Sequence, residues 1–237
     1  MENNKYFLPV AVIVAGLLIA GAVVWNGQRP ATTPGGAQIA VDIKDINLAG
    51  RPFIGKADAP LTIAFWSDFQ CPFCKAFETG GIPQINDRTP AAFPQIVKDY
   101  VETGKVKIVF MDFAFLGNDS TVATQYGQAV WKLYPEQYFV WRTAMYEAQD
   151  EEGDEGFGDA ASIDKLNASI AGLDVAKIAA DVAANKAAYN AVAEADKAEG
   201  AKVGIDSTPS IVIGTQLIKG AYPYANFKAA IDAELSK

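Results

Sequence analysis

The chain has 237 residues, half of them apolar, so it is long enough to bury one substantial core. Its formal net charge of −8 argues against nucleic acid or an anionic membrane surface as the main partner. It contains two cysteines and no histidine, so a single chain cannot complete a zinc site of cysteine and histidine ligands. Apart from a zinc site shared between two chains, we expect no metal site, and we expect no cofactor.

The most apolar part of the chain lies at its N-terminus. Residues 6–25 form an uncharged run of about the length that a helix needs to span a bilayer. Tyr6 and Trp25 bracket this run as interfacial aromatic residues do, and Lys5 precedes it, which favours an N-terminus inside the cell. We expect a single transmembrane anchor over residues 6–25, a short cytoplasmic segment over residues 1–5, and the rest of the chain on the periplasmic or extracellular face.

A cleaved signal peptide is the alternative for this segment, because Ala20-Gly21-Ala22 resembles a small-residue cleavage site. Both interpretations export the chain that follows, and they differ in whether it stays attached to the membrane. Residues 26–50 are rich in proline, threonine and glycine near their start, and they are predicted to form a linker and lead-in.

The two cysteines follow the first predicted strand, Leu61–Trp66, which is short and apolar. Pro72 lies between Cys71 and Cys74 and fits the first turn of a helix that begins near Cys71. A disulfide that closes so short a loop would constrain the unfolded chain very little, so a structural staple is the less favoured alternative. We interpret the pair as a dithiol that cycles between reduced and oxidised forms.

The pattern beyond the cysteines predicts a block of helices between two short stretches of strand. In chain order, the predicted elements are a helix over 91–102, a strand over 106–111, helices on either side of Pro135, a long helix from Asp174 to about Glu199 that ends at Gly200, a hairpin of Ser210–Ile213 and Gln216–Ile218, and a helix over 224–235. The helical block therefore separates the two halves of one small sheet.

Four segments carry a resemblance to a known family when they are taken together and in order: 55–60, 67–74, 203–210 and 220–227. Over roughly residues 53–237 the chain resembles the DsbA-like thioredoxin-fold oxidoreductases of the bacterial cell envelope, especially the membrane-anchored kind. The resemblance implies an α/β architecture, in which an all-helical insertion separates the two halves of a thioredoxin fold. Its expected boundaries are 51–118 for the first half, 119–202 for the insertion and 203–237 for the second half.

The resemblance also implies roles for individual residues. Cys71 is expected to be the exposed nucleophile, because a helix N-terminus stabilises its thiolate, and Cys74 is expected to be the buried resolving cysteine. The peptide bond between Thr208 and Pro209 is expected to be cis and to lie beside the cysteines. The other candidates are Pro72 and Phe73 for redox tuning, Ser207, Thr208, Phe69 and Tyr222 for substrate binding, and Asp68 for a proton relay.

Two positions depart from the family's usual pattern. Strongly oxidising members often carry histidine at the place of Phe73, so we expect a less oxidising potential here. The family commonly buries a carboxylate at the place of Phe65. Asp68 is the nearest acid that could replace that carboxylate, although shaping the loop is the favoured alternative role for Asp68.

The activity implied is that of an exported, membrane-tethered thiol–disulfide oxidoreductase that forms or exchanges disulfides in secreted or envelope proteins. A net reductase or isomerase with the same motif is one alternative, and a redox-silent peptide-binding or chaperone module is another. The implied partners are cysteine-containing protein substrates, a membrane redox partner that reoxidises or reduces the dithiol, and the lipid bilayer. We expect a monomer that binds no nucleic acid.

Overall fold

The computed structural model describes residues 41–82, 87–151 and 156–237. The predicted anchor over residues 6–25 lies outside the described residues, as does most of the predicted linker. In the three described ranges, every helix is too short or too polar to cross a bilayer.

The described residues form a five-stranded sheet and seven α-helices, with short helical turns between them. The strands are β1 (Phe53–Ile54), β2 (Leu61–Ser67), β3 (Val106–Asp112), β4 (Ser210–Ile213) and β5 (Gln216–Lys219). The helices are α1 (Pro72–Glu78), α2 (Phe93–Ile96, continued by a π-helical turn Val97–Val101), α3 (Asn118–Leu133), α4 (Tyr138–Ala148), α5 (Ala160–Ser169), α6 (Val175–Lys202) and α7 (Tyr224–Leu235).

The strand order in the sheet is β1-β3-β2-β4-β5. β2 and β3 are parallel, with Phe65 opposite Phe110, whereas every other neighbouring pair is antiparallel. Because the carboxyl ends of parallel strands meet at one edge, the loop after β2, which carries the cysteines, lies beside the loop after β3.

Side chains along β2 alternate between the two faces of the sheet, as the period of a strand requires. Ile63 and Phe65 belong to the larger core, which also contains the inner faces of α1 and α2, while Ala64 and Trp66 belong to a smaller core on the other face. The ring of Phe65 lies 5.0 Å from that of Phe77 on α1. The apolar positions of β2 therefore hold the cysteine-bearing helix against the sheet.

The predicted helical insertion is confirmed: α3 to α6 lie between β3 and β4. Buried and part-buried side-chain hydrogen bonds join its helices. Trp141 Nε1 donates to Asn167 Oδ1 at 2.8 Å, linking α4 to α5, and Gln125 Nε2 donates to Asn190 Oδ1 at 2.7 Å, linking α3 to α6. The insertion thus has a polar framework of its own as well as apolar packing.

Two details differ from the sequence prediction. The long helix continues to Lys202, so Gly200 lies inside it rather than at its end. A Cβ at Gly200 would lie 3.0 Å from Nε1 of Trp66, and that indole donates to the carbonyl of Asp196 at 2.8 Å. Gly200 therefore allows α6 to pack closely on the sheet. The prediction also missed α5, which Asp159 caps by accepting a hydrogen bond from the Ser162 amide.

Candidate active site

Cys71 and Cys74 lie at the start of α1, as the C-x-x-C spacing predicted. Cys71 is the N-cap residue and Pro72 occupies the first turn, where its missing N–H leaves no helical bond unmade. The amide of Lys75 donates to the Cys71 carbonyl at 3.1 Å, which begins the helical hydrogen bonding. Both cysteines are free thiols in this structure.

The expected exposure of Cys71 is wrong, because only 3% of its surface is accessible, against 0% for Cys74. The difference arises from a distant loop: the Sγ of Cys71 lies 3.5 Å from the carbonyl oxygen of Thr208. Cys71 is still the more accessible residue of the two.

The surroundings of the two thiols shift their pKa values in opposite directions. The Cys74 side chain, as hydrogen-bond partner, lowers the pKa of Cys71, and the backbone amides of Cys74 and Phe73 lower it further, although burial opposes them. Burial raises the pKa of Cys74 well above its usual range, and the neighbouring Cys71 sulfur raises it further. Cys71 is therefore the thiol that ionises first, and the thiolate is the reactive form of cysteine.

The Thr208–Pro209 peptide bond is cis and lies beside the cysteines. Pro209 is buried and Ser207 is half-buried. The Ser210 hydroxyl donates to the Ser207 carbonyl at 2.7 Å, which closes the loop at the start of β4. The fold thus brings together two loops that are 137 positions apart in the chain.

Three aromatic side chains near this edge of the sheet are about half exposed: Phe73 at 50%, Tyr222 at 49% and Phe115 at 51%. Phe115 was not among the predicted site residues, although its position just after β3 places it near the cysteine loop. Phe69 was predicted to bind substrate, and the structure corrects this. Its ring is 4% exposed and packs against Trp141 and Tyr146 of the insertion, at centroid distances of 5.3 and 5.4 Å.

Asp68 is fully buried, and its carboxylate accepts four hydrogen bonds. The donors are the amides of Gln70, Phe115 and Leu116, at 2.8, 2.9 and 3.3 Å, and the hydroxyl of Ser120 at 2.7 Å. These bonds tie the cysteine loop to the segment after β3 and to the start of α3. The geometry favours loop shaping over a proton relay as the role of Asp68.

A buried ion pair that the sequence analysis missed lies under α1. Glu78, one turn beyond Cys74, accepts hydrogen bonds from Nε and Nη2 of Arg142 on α4, at 2.8 and 2.6 Å. Nη2 also donates to the Ser67 hydroxyl at 2.9 Å, and the guanidinium lies 4.2 Å from the Phe110 ring centroid. Burial raises the pKa of Glu78, and the charge of Arg142 opposes that shift.

The helical spacing of the residues in α4 could have indicated that Arg142 is buried. Arg142 lies one turn from Tyr138 and one turn from Tyr146, and both of these side chains are buried. A cation on an otherwise apolar face needs a buried partner. Nothing near Arg142 in the sequence indicates which carboxylate is that partner.

Comparison with known proteins places this site in a family. Residues 48–233 match a family model described as thioredoxin. The chain belongs to this thioredoxin family. A probable disulfide bond formation protein D from Bacillus anthracis is 22% identical over 236 residues, which cover 100% of this chain and 99% of that protein. Disulfide bond formation protein D of Bacillus subtilis (strain 168) is 28% identical over 195 residues, which cover 80% of this chain and 79% of that protein.

Solved structures of other proteins agree with the architecture described above. Oxidised BdbD from Bacillus subtilis superposes with a TM-score of 0.71 at 25% identity, covering 84% of this chain and 99% of that one. The thiol-disulfide exchange protein alpha-DsbA2 from Wolbachia pipientis gives a TM-score of 0.65 at 23% identity, covering 80% of this chain and 90% of that one. The predicted DsbA-like family and the predicted enzyme class, a thiol–disulfide oxidoreductase, are confirmed.

Proposed function

We propose that this protein is exported, is tethered to the membrane by residues 6–25, and forms disulfides in secreted or envelope proteins through Cys71 and Cys74. The observation that carries the proposal is the position of the more acidic thiol, which lies at a helix N-terminus and faces the Thr208–Pro209 loop. The names of the two Bacillus relatives, disulfide bond formation protein D, support the direction of transfer.

The proposed reaction begins with a disulfide between Cys71 and Cys74. A substrate thiolate attacks the Cys71 sulfur, which forms a mixed disulfide and releases Cys74 as a thiolate that takes up a proton. A second substrate thiolate then attacks the substrate sulfur of the mixed disulfide and releases Cys71 as a thiolate. The substrate loses two electrons and gains a disulfide, and the protein is left as a dithiol that a membrane redox partner reoxidises.

The separation of the two pKa values supports this direction. A lowered pKa makes Cys71 a better leaving group and stabilises the reduced protein, and a stable reduced form is what makes a dithiol protein an oxidant. The backbone of Ser207 and Thr208 is proposed to pair with an extended substrate segment beside Cys71. The exposed rings of Phe73 and Tyr222 are proposed to contact the apolar side chains of that segment.

Phe73 is proposed to limit the oxidising power of the site, since its ring offers no charge or hydrogen bond to the Cys71 thiolate. Phe73→His is expected to lower the pKa of Cys71 and to shift the potential to a less negative value by about 30 mV, equivalent to about 1.4 kcal/mol. Equilibration with glutathione buffers measures the shift. Phe73→Leu is the matched control and should leave the potential near that of the unchanged protein. A potential that is equal in the histidine and leucine variants would contradict this role.

Trapping of the intermediate tests the proposed function. Cys74→Ala leaves Cys71 as the remaining thiol of the site. Its thiolate attacks a disulfide of an exported protein, which is the reverse of the transfer step, and one substrate sulfur leaves as a thiolate. Without Cys74 to release it, the mixed disulfide between Cys71 and the substrate is expected to accumulate in the cell envelope. Non-reducing electrophoresis followed by mass spectrometry of the adducts identifies the substrates. The control is the Cys71→Ala, Cys74→Ala double variant, which should form no adduct. If the single variant also traps no exported cysteine-containing protein, the proposed function is wrong.

A further inference from the structure

One side chain of the helical insertion binds directly to the backbone of the C-x-x-C turn. Gln149 follows the last residue of α4, and it is only 5% exposed. Its Nε2 donates to the carbonyl of Phe69 at 2.7 Å and to the carbonyl of Cys71 at 3.1 Å. The two N–H bonds of the amide thus serve two carbonyls on either side of Gln70.

The backbone of Gln149 is also hydrogen-bonded to a side chain of α1. Its carbonyl accepts a hydrogen bond from Nζ of Lys75 on α1 at 2.6 Å. Gln149 is therefore hydrogen-bonded to three residues that span the redox turn: Phe69, Cys71 and Lys75.

The next residue, Asp150, accepts a hydrogen bond from the Phe157 amide at 2.7 Å, and Gln70 donates to the Phe157 carbonyl at 3.0 Å. Phe157 thus connects Asp150, which follows Gln149, to Gln70, which precedes Cys71.

These bonds complete the restraint of the backbone at Cys71. Its amide donates to the Asp68 carbonyl at 3.2 Å, and its carbonyl accepts from the Lys75 amide and from Gln149. With the amide and the carbonyl both held, the direction of the Cα–Cβ bond of Cys71 is fixed. That direction places the sulfur at the N-terminus of α1, 3.5 Å from the Thr208 carbonyl oxygen.

We propose that Gln149 is a positioning residue of the redox centre: its side-chain amide holds the Phe69 and Cys71 carbonyls so that the Cys71 sulfur stays at the N-terminus of α1. The helical insertion then helps to form the thiolate site and is more than a cover for it. The proposal depends on the proposed function only in taking Cys71 as the reacting group, and its readout requires no protein substrate.

Gln149→Met tests the proposal, because it keeps the length of the side chain and removes both donors. We expect the variant to fold and its Cys71 thiolate to be less stable, with the pKa of Cys71 raised by about one unit. Below that pKa, alkylation of the reduced protein by iodoacetamide should be about tenfold slower. Alkylation rates measured against pH, with peptide mapping to assign the reaction to Cys71, give the result.

Gln125→Met is the matched control. Gln125 is also a buried glutamine of the insertion, and its amide donates to Asn190 at 2.7 Å, away from the cysteines. Both variants should lose unfolding free energy, but only Gln149→Met should change the alkylation profile. If the two profiles are the same as that of the unchanged protein, Gln149 has only a structural role and the proposal is overturned.

A second variant keeps the test decisive if Gln149→Met does not fold. Gln149→Glu has the same shape and places one carboxylate oxygen where Nε2 donates to the two carbonyls, so it must also slow alkylation below the pKa of Cys71. An unchanged profile in this variant overturns the proposal. A failure to trap substrates with Cys74→Ala would contradict the proposed function, whereas it would leave the alkylation result and the role of Gln149 unaffected.

Discussion

Replacing Arg142 with methionine is expected to lower the free energy of unfolding by about 3 to 5 kcal/mol, the range for breaking a buried ion pair from one side. The substitution leaves the Glu78 carboxylate buried without its cation and removes the donor to the Ser67 hydroxyl. Urea denaturation followed by tryptophan fluorescence measures the loss.

The pH dependence of this loss has a defined sign. Without Arg142, the pKa of Glu78 in the folded protein rises further above its unfolded value, so protonation stabilises the variant. The loss should therefore be smallest below the ordinary carboxyl pKa and should grow as the pH rises toward neutrality. A double variant, Arg142→Met with Glu78→Gln, removes both charges and should recover much of the stability. A loss below about 1 kcal/mol in the single variant at neutral pH would show that the pair contributes little.

Replacing Cys71 with serine is expected to abolish disulfide transfer completely. Cys74 has no second cysteine in the chain with which to form a disulfide, and it is fully buried. The measurement is the rate at which the pre-oxidised protein introduces a disulfide into a reduced unfolded protein. The variant should match the background rate, while its unfolding midpoint should stay close to that of the unchanged protein.

The same variant separates catalysis from the redox-silent alternative. A chaperone or peptide-binding module on this fold would suppress aggregation of unfolded protein equally well with cysteine or serine at position 71. If a strain that lacks this protein has an envelope defect, full complementation by the Cys71→Ser variant would therefore favour that alternative. Failure of the variant to complement, together with loss of disulfide transfer, would favour the oxidoreductase.

Local chemistry explains why several elements could be predicted from the sequence. The apolar run of β2, Pro72 in the first turn of α1, and Gly214 between β4 and β5 each act within a few residues. The predicted bounds of the last helix agree with those of Tyr224–Leu235 in the structure. These features need no information about distant parts of the chain.

The features that could not be predicted depend on long-range packing. Glu78 and Arg142 are 64 positions apart, and nothing local at either residue identifies the other. The position of Phe69 beside the C-x-x-C motif suggests a surface aromatic residue, but Trp141 and Tyr146 of the insertion pack against its ring. Gly200 has the sequence signature of a helix end, whereas its role is to let Trp66 approach α6.

The strand order also bears on when the enzyme becomes active during its own folding. β2 pairs with β4, so the whole insertion must be spanned before the central part of the sheet can close, and long-range pairings of this kind form slowly. Until then Cys71 lacks its neighbour Thr208, which belongs to a segment that is synthesised after the insertion. We expect a newly synthesised chain to carry two ordinary thiols at first. Its redox potential would then be acquired in the final docking of the C-terminal hairpin, as a product of tertiary folding.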